Sequence, residues 1–184
     1  MSDSQQSSAR AARRERSRAN LEEAGVREFL AFVVGTATFA LPLSCVREIM
    51  KVPSVTPVPR APREVLGIVS VRGQVTTLID LRVRLSVQAA PISTRTRVLL
   101  VDQGDEILGL LCDRVKQVHR LSETEVEIAS VLGADASSYV MGIGRPGQRK
   151  TETARDGQGA TTTGEDDVLI LLDPIALLKR QGHA

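Results

Sequence analysis

The chain has 184 residues and a formal net charge of +2, enough for one domain or two very small ones and too little charge to imply a polyanionic partner. Aromatics are scarce, with no Trp, one Tyr and three Phe, which excludes a surface built on stacking nucleic-acid bases. Cys45 and Cys112 both lie in apolar segments and form no CxxC, so they read as buried thiols in a reducing compartment.

No apolar run reaches the length of a membrane span, and the N-terminus "MSDSQQSSARAARRERSRAN" has no hydrophobic core of a secretory signal. A soluble, cytoplasmic protein is expected, with no membrane insertion. Residues 1–26 carry almost no large apolar side chains and read as a disordered tail, with a frayed helix near "ARRERSRANLEEA". The acids Asp3, Glu15, Glu22 and Glu23 nearly cancel its arginines, so no nucleic-acid arm is inferred.

The ordered region starts at residue 27. "FLAFVVGTATFALPL" predicts two strands around a turn at Gly35-Thr36. In "SCVREIM", Val46, Ile49 and Met50 make one apolar stripe on a short packed turn. "VPSVTPVPRAP" has four prolines in eleven residues and must be extended chain along an edge. "PREVLG" reads as a one-turn helix from Pro62 to Gly67. "LGIVSVRGQVTTLIDL" is a strand, an Arg72-Gly73 turn and a second strand, after which Asp80 caps a short helix in "DLRVRL". Asn-Gly or Asp-Gly would make the easier hairpin turn, so the arginine calls for a reason.

"RVLLVD", the turn "QGDE" and "ILGLLC" form another hairpin. "VKQVHRL" is a strand, "SETEVEI" a polar connector and "SSYVMGIG" a strand. Residues 145–167, rich in Gly, Thr and charge, read as a mobile loop of unusual length. A buried strand then leads to a C-terminal helix over 174–180, with Asp173 as N-cap, Pro174 at its first position and Gly182 beyond its end. "TLIDLRVRL" and "LILLDPIALL" echo one another, as do "FVVGTATFALPLSCVREI" and "LLVDQGDEILGLLCDRVKQV". The fold expected is mainly β: two small five-stranded SH3-like barrels packed together, with a few short helices.

Catalytic motifs fail one after another. His119 alternates to the surface of its strand, leaving no general base. "GIGRPGQRKT" has Gln148 where a phosphate loop needs lysine. Two isolated Cys and two His give no metal spacing, and Glu123, Glu125 and Glu127 read as a solvated face. No enzyme, metal or cofactor is expected.

From about Arg27 onward, "FLAFVVGTATFALPLSCVREIM", "VTPVPRAPREVLGIVSVRGQVTTLIDLRVRL", "RVLLVDQGDEILGLLCDRVKQV", "YVMGIG" and "VLILLDPIALL" resemble the CheW family of chemotaxis coupling proteins. The middle block carries the most specific pattern: a Pro-rich strand, P-x-x-[VIL]-x-G, an [NS]-[LV]-R-G turn, then "IDL". The resemblance implies two SH3-like barrels sharing a core and no catalysis. It implies an adaptor that bridges the cytoplasmic tip of methyl-accepting chemoreceptors and the regulatory domain of a CheA-type histidine kinase. Partner-binding residues implied are Val46, Glu48, Gly67, Val71, Arg72 and Gly73. Arg72 either grips carboxylates and carbonyls of a partner helix or pairs internally with Glu48, or both. The chain departs from the family at its N-terminal tail, at the 145–167 loop and at Arg114, where glycine is common. An accessory adaptor that binds receptors or other coupling proteins but not the kinase is therefore an alternative. A β-barrel module for nucleic acid or another ligand is the second.

Overall fold

The computed structural model describes residues 25–88, 90–102, 106–128, 138–147 and 168–178. In chain order the strands are β1 (Val26–Val34), β2 (Ala37–Pro42), β3 (Val46–Lys51), β4 (Val65–Val71), β5 (Gln74–Asp80), β6 (Arg97–Asp102), β7 (Ile107–Cys112), β8 (Arg114–Ser122), β9 (Val126–Ile128), β10 (Val140–Gly144) and β11 (Leu169–Leu172). The helical pieces are α1 (Leu81–Arg84), α2 (Pro174–Leu178) and 3-10 turns at Leu43–Cys45 and Glu123–Glu125.

Two sheets result, ordered β8-β1-β2-β11-β10-β9 and β3-β6-β7-β5-β4. They follow one plan. Each has an antiparallel hairpin, β1–β2 or β6–β7, whose second strand pairs in parallel with the last strand of another hairpin, β11 of the later β10–β11 in the first sheet and β5 of the earlier β4–β5 in the second. The outer strands of each sheet are joined by one continuous stretch that closes it into a barrel. In the first barrel that stretch is β8, the Glu123–Glu125 turn and β9. In the second, β3 runs into the Pro-rich segment, and Thr56 exchanges two backbone hydrogen bonds of 2.9 Å with Ile68 of β4. The second barrel has the expected five strands. The first counts six, because its closing stretch regains strand geometry as β9.

The duplicated plan is intertwined. The chain leaves hairpin β1–β2 and supplies β3 to the second barrel, against β6; it leaves β6–β7 and supplies β8 to the first, against β1. Strand parity does the rest. In β1, Phe29 and Ala31 fill the first barrel, whereas Leu30, Phe32 and Val34 join a core shared with Leu99, Val101, Leu108 and Leu110 of β6 and β7. Val98, Leu100 and Leu111 alternate into the second barrel with Val69 and Leu78. Strands buried on both faces read as continuous apolar runs, as these do. Ionisable side chains interrupt them only near their ends.

Two expected elements are corrected. "PREVLG" is not a helix: Val65 N–H donates to the Pro62 carbonyl at 2.9 Å, closing one turn, and the chain then enters β4. Pairing with β5 over Val65–Val71 outweighs a helix too short to nucleate. "SCVREIM" is not an apolar turn stripe. A 3-10 turn at Leu43–Cys45 leads into β3, where alternate residues are half-buried and exposed.

The hairpin turn at Gly35-Thr36 is as expected, and so are both caps. Asp80 accepts from the Arg82 backbone N–H at 2.9 Å, and Asp173 from Ile175 N–H at 2.8 Å. "SETE" closes as a capping box in which Ser122 and Glu125 satisfy each other's backbone. β1 begins at Val26, one residue inside the expected tail; residues 1–24 lie outside the described residues, as do most of the 145–167 loop and positions 179–180 of the expected C-terminal helix. The first residues of that loop are held: Gly147 N–H donates to Glu125 at 2.7 Å, and Arg145 pairs with Glu127.

Candidate functional site

β4 and β5 are joined by Arg72 and Gly73 alone, with Val71 facing Gln74 across the turn. Arg72 has φ 51° and Gly73 φ 82°. Positive φ at both central residues is the two-residue turn whose twist suits a hairpin. For glycine this is free. For arginine the left-handed region costs roughly 1–2 kcal/mol.

The Arg72 side chain is 80% exposed, and its Nη2 meets Glu48 Oε2 at 2.9 Å. Glu48 lies on β3 and Arg72 at the tip of β4, the two outer strands of the sheet, so the pair spans the barrel seam. A β-bulge sets Glu48 there. Val46 faces Val101 but Glu48 faces Leu100, leaving Arg47 without a cross-strand partner. The extra residue turns Val46 toward the shared core and Met50, with Glu48 on its face, toward the second barrel. An ion pair this open is worth about 0–1 kcal/mol, less than the strain at Arg72. Stability therefore does not account for an arginine at this turn, and a strained, exposed cation points to a role outside the fold.

Of the residues singled out from sequence, Glu48, Arg72 and Gly73 come together at this rim. Val46 and Val71 are half-buried beneath it, against the shared core and the second barrel's core respectively. Gly67 is placed differently. It is buried in β4 with φ 149°, and a Cβ there would lie 2.3 Å from the Thr56 carbonyl oxygen. Its lack of a side chain lets the Pro-rich segment close the barrel; it shapes the rim and is not part of its surface.

Sequence reasoning missed two features. The bulged Arg47 donates from Nε to Asp102 at 2.6 Å beside a hollow of about 390 Å³ lined also by Gln74, Val75, Thr76, Glu106 and Ile107. Arg82 and Arg84 of α1 are buried. A bulge leaves no trace in local composition, and the two arginines alternate with Leu81, Val83 and Leu85 as surface residues would.

Burial pushes the Cys45 thiol up to about 11 and the Cys112 thiol up to about 12, so both are protonated at neutral pH. Among the described residues no three His, Cys, Asp or Glu side chains are grouped to hold a metal ion, and no helix is long and apolar enough to cross a membrane.

A family model for the CheW-like domain matches residues 28–182. The chain belongs to the CheW-like family. This CheW-like chain is 32% identical over 124 residues to the chemotaxis protein CheW of Helicobacter pylori, a match covering 67% of the chain and 75% of that protein. It is 31% identical over 117 residues to protein FrzA of Myxococcus xanthus, covering 63% and 72% respectively. Its fold superposes on the crystal structure of the scaffolding protein TtCheW from Thermoanaerobacter tengcongensis with a TM-score of 0.68 at 22% identity, covering 85% of this chain and 95% of that one. Family membership does not favour a nucleic-acid or ligand-binding module.

Proposed function

We propose that this CheW-like chain joins the cytoplasmic hairpin tip of methyl-accepting chemoreceptors to the regulatory domain of a CheA-type histidine kinase, without catalysis of its own and in the cytoplasm. Membership of the family makes it a chemotaxis coupling adaptor. The observation that supports the docking surface is Arg72, strained at φ 51° and 80% exposed. A planar fork with five donors, tethered at one corner by Glu48, suits the carboxylates and terminal carbonyls of a partner helix. Val46 and Val71 supply apolar surface under it, and Gly73 leaves the approach open: among the described residues, none beyond its chain neighbours has an atom within 4 Å of where its Cβ would stand.

Binding of the full chain to a purified receptor tip and to the kinase regulatory domain tests this. Micromolar binding to both is expected, with Arg72→Ala weakening the receptor arm. Binding of the tip alone would make the protein an accessory adaptor. Equal tip binding by the parent and Arg72→Ala would overturn the docking surface.

A further inference from the structure

The two barrels meet through an apolar core, and apolar contact is non-directional. Arg84 adds direction. Its side chain is 4% exposed, and Nη1 donates to Glu64 Oε1 at 3.0 Å. Nε and Nη2 both donate to the Leu177 carbonyl, at 3.1 and 2.7 Å. The guanidinium carbon lies 5.3 Å from the centre of the Tyr139 ring. Glu64 stands at the foot of β4, and its own carbonyl accepts from Asp80 N–H at 2.7 Å. Leu177 belongs to α2, which follows β11, and Tyr139 precedes β10, so both are attached to the first barrel. One guanidinium thus grips the base of the hairpin that carries Arg72 and two elements of the other barrel.

A second arginine of α1 extends the network. Arg82 forks onto Asp80 at 2.9 and 2.8 Å and lies 3.5 Å from Asp113, which accepts the Gly35 N–H at 2.7 Å from the first barrel's hairpin turn. Buried ion pairs of this kind contribute little net stability, since desolvation offsets their attraction. What they add is geometry: a fork bound to a carboxylate on one side and a carbonyl on the other is satisfied at one relative setting of its partners. The rim of Glu48 and Arg72 borders the barrel junction, because Val46 packs on the shared core.

We propose that Arg84 is a positioning residue for partner binding: it ties the foot of the β4–β5 hairpin to α2 and so sets Arg72 and Glu48 against the first barrel, without touching the partner. The proposal rests on the docking surface argued above, and its test separates the two. Full-length Arg84→Met, Arg84→Lys, Glu64→Gln and Arg72→Ala proteins are compared with the parent for affinity to a receptor tip and, in the free state, for amide resonances by NMR. Arg84→Met is expected to weaken tip binding about five- to tenfold. It should also shift the amide resonances of Glu48, Arg72 and Gly73, while β6 and β7 amides stay protected from exchange. Arg84→Lys should lose most of the same affinity, because one ammonium cannot hold Glu64 and the Leu177 carbonyl together. If Arg84→Met does not fold, Arg84→Lys and Glu64→Gln carry the same comparison. Parent-like binding by the Arg84 variants, or unchanged rim amides, would overturn the proposal. If the parent and Arg72→Ala bind the tip equally, the docking surface fails instead, and the rim amides still decide whether Arg84 sets the hairpin.

Discussion

The β4–β5 and β10–β11 hairpins hold matching places in two barrels built on one plan, yet their turns diverge. In the second barrel the turn is two residues with an arginine at φ 51°. In the first, β10 ends at Gly144 and β11 begins at Leu169, with a long connection between. The strand stems are alike. Each has a register shift before a glycine, Val65/Gly67 in one and Val140/Gly142 in the other. Each glycine is pressed against the stretch that closes its barrel: a Cβ would lie 2.3 Å from the Thr56 oxygen in one case and 2.4 Å from the Glu127 oxygen in the other. Closure constrains the stem in both copies. The turn differs between the copies: two residues in one, a long connection in the other.

The largest expected effect tests the shared stem. Gly67→Ala combines backbone strain with a clash against main chain and should cost roughly 3–4 kcal/mol, or about 10 °C in melting temperature for a domain of this size. Gly142→Ala should cost nearly as much; a mild effect at one glycine and not at the other would break the equivalence of the two closures.

Next comes the turn. Arg72→Ala should weaken receptor-tip binding about thirtyfold, the loss of about 2 kcal/mol typical of an interface hot spot. Arg72→Asn should lose the same affinity yet melt about 2 °C higher, since asparagine tolerates the left-handed region and relief of strain outweighs an exposed ion pair. Among the described residues a Cβ at Gly73 meets no atom beyond its chain neighbours, so Gly73→Val should cost mainly the strain of its positive φ, roughly 1–2 kcal/mol. A fall in melting for Arg72→Asn as large as for Gly73→Val would show that the pair with Glu48 holds the barrel seam together.

A smaller effect separates the two crossover points. Cys45 precedes β3 and Cys112 ends β7 just before β8, so they mark equivalent places in the repeat. Burial raises both thiols above the ordinary value of 9.0, to about 11 and about 12. The folded state then holds these protons where the unfolded chain has released them. Their contribution is complete below pH 9 and is lost as pH rises through 11 and 12. Stability should fall on this alkaline limb, and replacing both cysteines by alanine should flatten it. In native protein at pH 8, a thiol reagent should label Cys45 well before Cys112. The smallest effect is expected from deleting residues 148–167, whose sequence has no large apolar side chain; Gly144 pairs with Leu169, so melting should move by less than about 4 °C.

How much was legible follows from the range of each signal. The strands, the Arg72-Gly73 turn, the Asp80 and Asp173 caps and the two-fold repetition all depend on residues close in sequence. The closure glycines were legible in part: "VLGI" at 65–68 and "VMGI" at 140–143 echo each other, though spacing alone does not say that another backbone presses on them. The one-turn helix expected at "PREVLG" failed because pairing with β5 competes with a local preference worth little in so short a segment.

The sequence by itself determined the mainly β class, the positions of most elements, the repeat and the Arg72-Gly73 turn, because alternation, capping and turn chemistry act over a few residues; Glu48 was implied only by the family resemblance. Only the tertiary structure decided that β3 and β8 change barrels, that a bulge at Arg47 aims Glu48 at Arg72, that Gly67 serves closure and that Arg82 and Arg84 are buried between the halves. Each of these depends on groups far apart in the chain competing for the same buried space, and that competition is settled only when the two barrels close together.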